Sequence, residues 1–424
     1  MHDYPDRTRN QQGPTTAKER HVILDALRGL ALLGIALANF PEFALWTFLS
    51  ADEQQAMATA DIDGVMRYLQ YLLVDGKFYT IFSLLFGVGF SLILSRHPVS
   101  LFVRRMLILA VIGFCHLMFI WNGDILLLYA CGGLLLPIFI RLKDRTLLTV
   151  AVALIMLPVG LDALTEFAGI DFARPFYDAW WAEAARQGIT EENFATWLRD
   201  TDGYPQMFAF LQQGALERLW EFVDGHRLPK VVGLFMLGYL IGKHRLYARL
   251  RELPLRRACT MAFAVGVPMS IPYAWSATHG HPWGLTVHSL LYAVSVIPMA
   301  VGYVSAICLW FLLRQAQQPV SGFRSLRSSS SKIFNWFAAP GRMALSNYIS
   351  QSLVGVLLFY GLGLGLGCSF GLVYVELMAF VVFVLQIFVC KWWLCHFRFG
   401  PLEWVWRMLT YGRYFQFKVT NESV

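Results

Sequence analysis

Ten mostly apolar stretches dominate the chain, at roughly 22–41, 68–94, 102–121, 124–141, 147–164, 228–243, 258–276, 284–312, 343–361 and 370–394. A helix crossing ~30 Å of hydrocarbon needs about 20 such residues. In lipid it must also pair every backbone N–H and C=O within itself. The pattern predicts an all-α fold, a polytopic membrane helix bundle of about ten transmembrane helices. Composition agrees: of 424 residues, 57% are hydrophobic and 15% charged, against about 25% charged in an average soluble domain. Too few polar groups remain to cover a surface facing water. The net charge of +7 sits in short runs between spans, which marks topology rather than a face for nucleic acid.

The loops alternate in sign. Arg7, Arg9, Lys18 and Arg20 precede the first span, and Asp52, Glu53, Asp61 and Asp63 follow it. Arg96, Arg104 and Arg105, then "RLKDR" at 141–145, then "KHRLYARLRELPLRR" at 243–257, then Arg314, Arg324, Arg327 and Lys332 continue the basic series, which ends with Arg398, Arg407, Arg413 and Lys418. With ten spans, this alternation predicts that both termini are cytoplasmic. The expected organisation is a tail at 1–20, a membrane half at 21–164, a helical insertion on the outer face at 165–229, a second membrane half at 230–395 containing a basic linker at 314–342, and an interfacial segment at 396–424. Residues 319–332, "PVSGFRSLRSSSSK", are expected to be flexible. The first 20 residues lack an apolar core with a small-residue cleavage site, so no cleaved leader is expected. The seven cysteines form no CxxC pair, and neither a disulfide nor a metal site is read from them.

Charged groups inside spans are costly and usually face a partner or a wet cavity. Asp25, Arg28 and Asn39 fall on one stripe of the first helix at 100° per residue. Gly29 and Gly34 would admit a close neighbour there. Asp75 and Lys77 interrupt the second span, and His116 lies eight residues before Asp124, across the turn Trp121–Gly123. An imidazole oriented by a carboxylate is the basic unit of general-base catalysis. An isolated histidine at a helix end is also commonly just a capped residue, and His226 and His281 read as loop residues. In "APGRMALSNYISQS", Arg342, Ser346, Asn347 and Gln351 repeat at helical spacing, and "FGPLEWVWRMLTYG" carries Glu403 and Arg407. Arginines at a cytosolic opening suit a phosphate-bearing donor, and equally suit topology and lipid headgroups.

Five of these segments, "LDALRGLALLGIALANF", "GKFYTIFSLLFGVGF", "GDILLLYA", "GRMALSNYISQS" and "GPLEWVWRMLTYG", together resemble the YeiB-like family of bacterial multi-pass membrane proteins of unknown function. That family looks related to transmembrane acyltransferases such as heparan-alpha-glucosaminide N-acetyltransferase. The resemblance implies transfer of an acyl group from cytosolic acyl-CoA to an acceptor at the outer face. The acetyltransferase places its catalytic histidine just before its second span, whereas residues 51–76 here contain none. His116 is then the candidate base and Asp124 its orienting partner. Lys77 and Asn39 would hold the reaction centre, either one meeting the oxyanion. Asp25, Arg28, Arg342, Ser346, Asn347, Gln351, Glu403 and Arg407 would bind the donor. No covalent cofactor and no metal are expected. Membrane lipids, an acyl-CoA donor, an envelope acceptor and a second copy in a homodimer are the candidate partners. A transporter or exporter of a small metabolite or lipid-linked substrate is the rival class, and an envelope scaffold the third.

Overall fold

The computed structural model describes residues 21–316 and 329–419; the tail at 1–20 and most of the linker at 319–332 lie outside them. Among the described residues the chain is a helical bundle without strands. In order it forms α1 (Val22–Phe43), α2 (Ala51–Gln55), α3 (Ala60–Leu73), α4 (Lys77–Leu94), α5 (Val99–Phe119), α6 (Leu126–Phe139), α7 (Asp144–Ala168), α8 (Arg174–Arg186), α9 (Phe194–Arg199), α10 (Tyr204–Asp224), α11 (Arg227–Lys243), α12 (Leu255–Thr278), α13 (Leu285–Ala316), α14 (Ser329–Arg342), α15 (Ala344–Phe359), α16 (Leu372–His396) and α17 (Pro401–Tyr411). Seven helical segments are long and apolar enough to cross a membrane, with α3 and α4 counted as one, and the shorter apolar helices α6 and α15 lie among them. Exposed leucines, valines and phenylalanines on α7, α12 and α16 give the bundle an apolar outer surface. It is a multi-pass membrane protein.

Hydrophobic collapse does little to join helices already in lipid, so close packing must do it, and small residues permit it. α1 meets α14 through reciprocal glycines. A Cβ at Gly29 would fall 1.8 Å from the Phe337 carbonyl oxygen, and one at Gly341 would fall 1.8 Å from that of Asp25. α4 and α11 repeat the device with Gly87 against Phe235 and Gly238 against Leu84. Gly34, by contrast, accommodates the ring of Phe78. These contacts seat α1 centrally, against α4, α14, α15 and α16.

Two breaks depart from the smooth spans that periodicity suggests. The second span divides into α3 and α4 at Gly76, whose φ of 71° is disfavoured for a side-chain-bearing residue. The polar run Arg342–Asn347 divides between α14 and α15 at Met343. There α17 supplies a cap: the Glu403 carboxylate accepts hydrogen bonds from the Leu345 N–H (2.7 Å), the Ser346 N–H (3.0 Å) and the Ser346 hydroxyl (2.5 Å). Orphan N–H groups of a helix start need such partners when buried. Helices α8 to α10 close over the Trp121–Asp124 turn. Trp180, Phe194 and Phe210 from these helices join Phe43, Trp121 and Tyr360 in one core cluster.

Candidate functional site

The His116–Asp124 pair lies where α5 turns into α6. His116 is 1% exposed and Asp124 is wholly buried, with the His116 Nδ1 2.8 Å from the Asp124 Oδ2. An ionised carboxylate only accepts, so the imidazole carries its proton on Nδ1 and Nε2 is the basic nitrogen. Nε2 has no hydrogen-bond partner among the described residues. The second Asp124 oxygen accepts from the Leu127 N–H at 2.7 Å and so caps α6. One carboxylate therefore starts a helix and orients a base.

Arg218, which sequence reasoning did not single out, fixes this turn from the insertion. Its guanidinium donates to the carbonyls of Asp124 (2.6 Å) and Gly123 (2.7 Å) and pairs with Glu221. Burial works against its charge, yet Glu221 and Glu42 hold its pKa above the ordinary value. Burial likewise opposes the Glu221 carboxylate, which Arg218 and Arg227 keep below its ordinary range. Glu217 accepts from the Asn122 side-chain amide at 2.8 Å, and burial pushes its carboxyl well above 4.5. "ALERLWEF" shows an arginine between acids on an amphipathic helix, a pattern shared by many solvent-facing helices.

On the inner side of the turn lies a cavity of about 1130 Å³, larger than the ~300–1,000 Å³ of most small-ligand sites. At its mouth stand Arg28, Arg96, Arg105, Lys243, Arg245, Arg342 and Arg407, against only two acids, Asp25 and Glu403. Lys243 is paired with Asp144 at 2.6 Å, and the remaining six cationic side chains outnumber the two lining carboxylates by four before histidine is counted. Asp25 pairs with Arg28 at 2.8 Å. Arg105 lies over the Trp406 ring at 3.6 Å, and Arg407 over Phe399 at 4.5 Å, so aromatic stacking orients both guanidinium planes. Burial raises the Glu403 carboxyl above its ordinary value although Ser346 opposes the shift. Further in, the lining turns apolar with Phe86, Phe90 and Leu109, and the inner end is bounded by Ile125, Tyr129 and Tyr348. The Tyr348 ring lies 5.3 Å from that of His116.

The candidate residues separate into groups. Asp25, Arg28, Arg342, Glu403 and Arg407 line the cavity, whereas the buried His116 and Asp124 are outside the lining, His116 against the ring of Tyr348. Its α1 wall continues through Leu32 and Ile35, whereas Asn39, further along the same helix, is half-buried and outside the lining. Ser346 is engaged by Glu403. Asn347 donates to the carbonyls of Pro340 and Met343 and meets Cys390, and Gln351 donates to Gln386 at 2.9 Å. These last residues knit α15 to α14 and α16. Lys77, wholly buried, donates to the Tyr71 carbonyl at 2.6 Å and lies 4.8 Å over Tyr273, which itself bonds Asp75. That cluster belongs to α3, α4 and α12. No group of three or more potential metal ligands occurs among the described residues.

Comparison with known proteins finds relatives along nearly the whole chain. Residues 242–413, which include Arg342, Tyr348, Glu403 and Arg407, match the family described as "Protein of unknown function (DUF418)". Over 409 residues the chain is 29% identical to the uncharacterized protein YeiB of Escherichia coli (strain K12), covering 92% of this chain and 96% of that one. The chain is similar to YeiB over nearly its whole length. It is also 28% identical over 417 residues to an uncharacterized 39.9 kDa protein encoded in the amylase 3' region of Bacillus acidopullulyticus (97% and 99% covered). Against the uncharacterized protein YxaH of Bacillus subtilis (strain 168) the identity is 26% over 423 residues (94% and 96% covered). These alignments extend over nearly the whole chain and are not confined to 242–413. No solved structure matches the chain.

Proposed function

We propose that this protein is a membrane-embedded acyltransferase, which takes an acyl group from cytosolic acyl-CoA and passes it to a cell-envelope or exported acceptor. The observation that carries the reading is the continuity of the cavity. Its cationic mouth suits a ligand bearing several phosphates, and its apolar throat ends at Tyr348, whose ring lies against a buried histidine with an unshared Nε2. Arginine forks recognise phosphate oxygens in bidentate fashion. A neutral imidazole held by a carboxylate is suited to take the proton of an attacking hydroxyl or amine. The basic mouth would then face the cytosol of a bacterial inner membrane, with both termini on that side and helices α8 to α10 on the other. In this reading Arg105, Arg342 and Arg407 hold the donor phosphates. His116 is the base, Asp124 orients it, and Arg218 keeps the turn in place.

The test is to incubate purified protein with radiolabelled acyl-CoA and bacterial membrane extract. Labelled acceptor is expected from the unsubstituted protein and its loss from His116→Ala. Accumulation of a solute in proteoliposomes lacking any acyl donor, without product formation in the first assay, would replace the enzyme by a transporter.

A further inference from the structure

We propose that Tyr348 donates the hydrogen bond that stabilises the oxyanion of the transfer reaction, an inference that rests on the acyl-transfer reading above. The reaction needs a donor at the inner end of the cavity and beside the base. Tyr348 is the lining residue whose ring meets the base, which itself sits behind it and outside the lining, whereas Lys77 is already engaged with Tyr71 and Tyr273 and Asn39 is outside the lining. Of the two tyrosines at the inner end, Tyr129 is held tightly: its hydroxyl lies 2.6 Å from that of Ser83 and is near the Tyr79 carbonyl as well. Tyr348 differs. Its hydroxyl donates to the Gly123 carbonyl at 3.3 Å and accepts from the Ile125 N–H at 3.3 Å. The first is long beside the 2.5–3.0 Å usual for a hydroxyl donating to oxygen, and the second is just beyond the 2.7–3.2 Å usual for an N–H donor. The phenol proton is therefore weakly engaged, while the ring is 4% exposed and fixed among the side chains of α5, α6 and α15. A donor fixed in place before the reaction needs no rearrangement as charge develops.

The acceptor's hydroxyl or amine attacks the thioester carbonyl carbon and gives its proton to the His116 Nε2. The carbonyl electron pair moves to oxygen, and the Tyr348 O–H, released from Gly123, donates to that oxyanion. The carbonyl re-forms as the carbon–sulfur bond breaks. The sulfur takes the proton from the imidazolium and leaves as the free thiol. Tyr348 keeps its proton throughout and returns to Gly123.

The test compares Tyr348→Phe, which keeps the ring, with the unsubstituted protein. Free-thiol release from acetyl-CoA is followed in the presence of membrane extract, with the thermal shift induced by acetyl-CoA measured alongside. The expected result is a kcat lower by ~10²–10³-fold, the cost of removing one oxyanion donor, with KM for acetyl-CoA and the thermal shift retained. An unchanged kcat overturns the proposal. Because Tyr348 also touches the turn that carries Asp124, the same substitution is made in His116→Ala. A further fall in the residual rate is expected, since oxyanion stabilisation survives loss of the base; no further fall would mean that Tyr348 acts only by positioning His116, and would overturn its catalytic role. Should Tyr348→Phe not fold, 3-fluorotyrosine at 348, a stronger donor of similar shape, is expected to change kcat at constant KM, and an unchanged kcat again overturns the proposal. An unsubstituted protein with neither thiol release nor a thermal shift removes the acyl-transfer reading and this inference with it; the two failures differ in which protein is silent.

Discussion

Two buried polar regions, both flagged by charges inside spans, turn out to be built on opposite plans. Around Asp75 and Lys77 the groups satisfy one another: Tyr273 bonds Asp75, Lys77 bonds the Tyr71 carbonyl and lies on Tyr273, and Tyr273 packs near His288 and Tyr292. Around Arg28, Arg105 and Arg407 cationic side chains outnumber carboxylates, and they surround a cavity of about 1130 Å³. Ionisable groups cost free energy in a membrane in either setting. In the first they offset it among themselves by joining a broken helix to its neighbours. In the second an excess of one sign persists around open space, the arrangement on which the proposed donor site rests. The difference teaches that an intramembrane charge identifies a site only when its surroundings leave something for a ligand to supply.

The largest effect expected from sharpening this contrast is at the end of the cavity. His116→Ala is predicted to lower kcat by ~10²–10⁴-fold, the usual contribution of a general base, as read from labelled product; a retained rate would detach the pair from the chemistry. Next, the double substitution Arg105→Gln, Arg407→Gln is predicted to weaken acetyl-CoA binding by ~10²–10⁴-fold, each charge-assisted contact being worth ~1.5–3 kcal/mol. Titration by thermal shift or calorimetry would show it, and the affinity of the unsubstituted protein should fall as salt rises. Third, Glu403→Ala removes the carboxylate that caps α15. It is predicted to destabilise the protein by about 2–4 kcal/mol, since the buried N–H groups then lose a charged acceptor, and unfolding in detergent would measure this.

A smaller effect concerns pH and the turn above the cavity. Burial holds the Glu217 proton more tightly than its ordinary value of 4.5. A carboxyl raised in the folded state contributes stability that is complete below 4.5 and is lost as pH rises towards its folded pKa, because the native state binds the extra proton. Glu217→Gln is therefore predicted to flatten the decline of Tm above pH 4.5 and to leave the protein at least as stable as the unsubstituted chain under alkaline conditions. The smallest effect on function is expected in the self-satisfied region: Lys77→Met should leave acetyl-CoA affinity and product formation unchanged while altering Tm. Loss of transfer with the fold intact would break the comparison outright.

Much of the fold was legible because lipid imposes a length and a composition on each span, and the apolar stretches coincide with helices α1, α5, α7, α12, α13 and α16. The breaks were harder to read. Gly76 and Met343 lie inside apolar or mixed runs, and only tertiary partners, Tyr292 against Gly76 and Glu403 against α15, determine that the helix stops there. Spacing also brought His116 and Asp124 within reach of one another, since eight residues around a tight turn leave few alternatives. It could not separate Asn347 and Gln351, which bond neighbouring helices, from Arg342, which lines the cavity. Periodicity gives the face of a helix and not what that face meets. Arg218 and Tyr348 escaped for the same reason: each acts on a turn roughly a hundred or more residues away in sequence.

The central claim is that the cavity between α1, α5, α15 and α17 holds an acyl donor with its phosphates at the arginines and its thioester at Tyr348. Electron cryomicroscopy of the protein in nanodiscs with a non-hydrolysable acetyl-CoA analogue tests it most directly. Elongated density from Arg105 and Arg407 to within hydrogen-bonding distance of the Tyr348 hydroxyl is the predicted result. Donor density bound elsewhere, or a cavity filled by lipid acyl chains at saturating analogue, would contradict it.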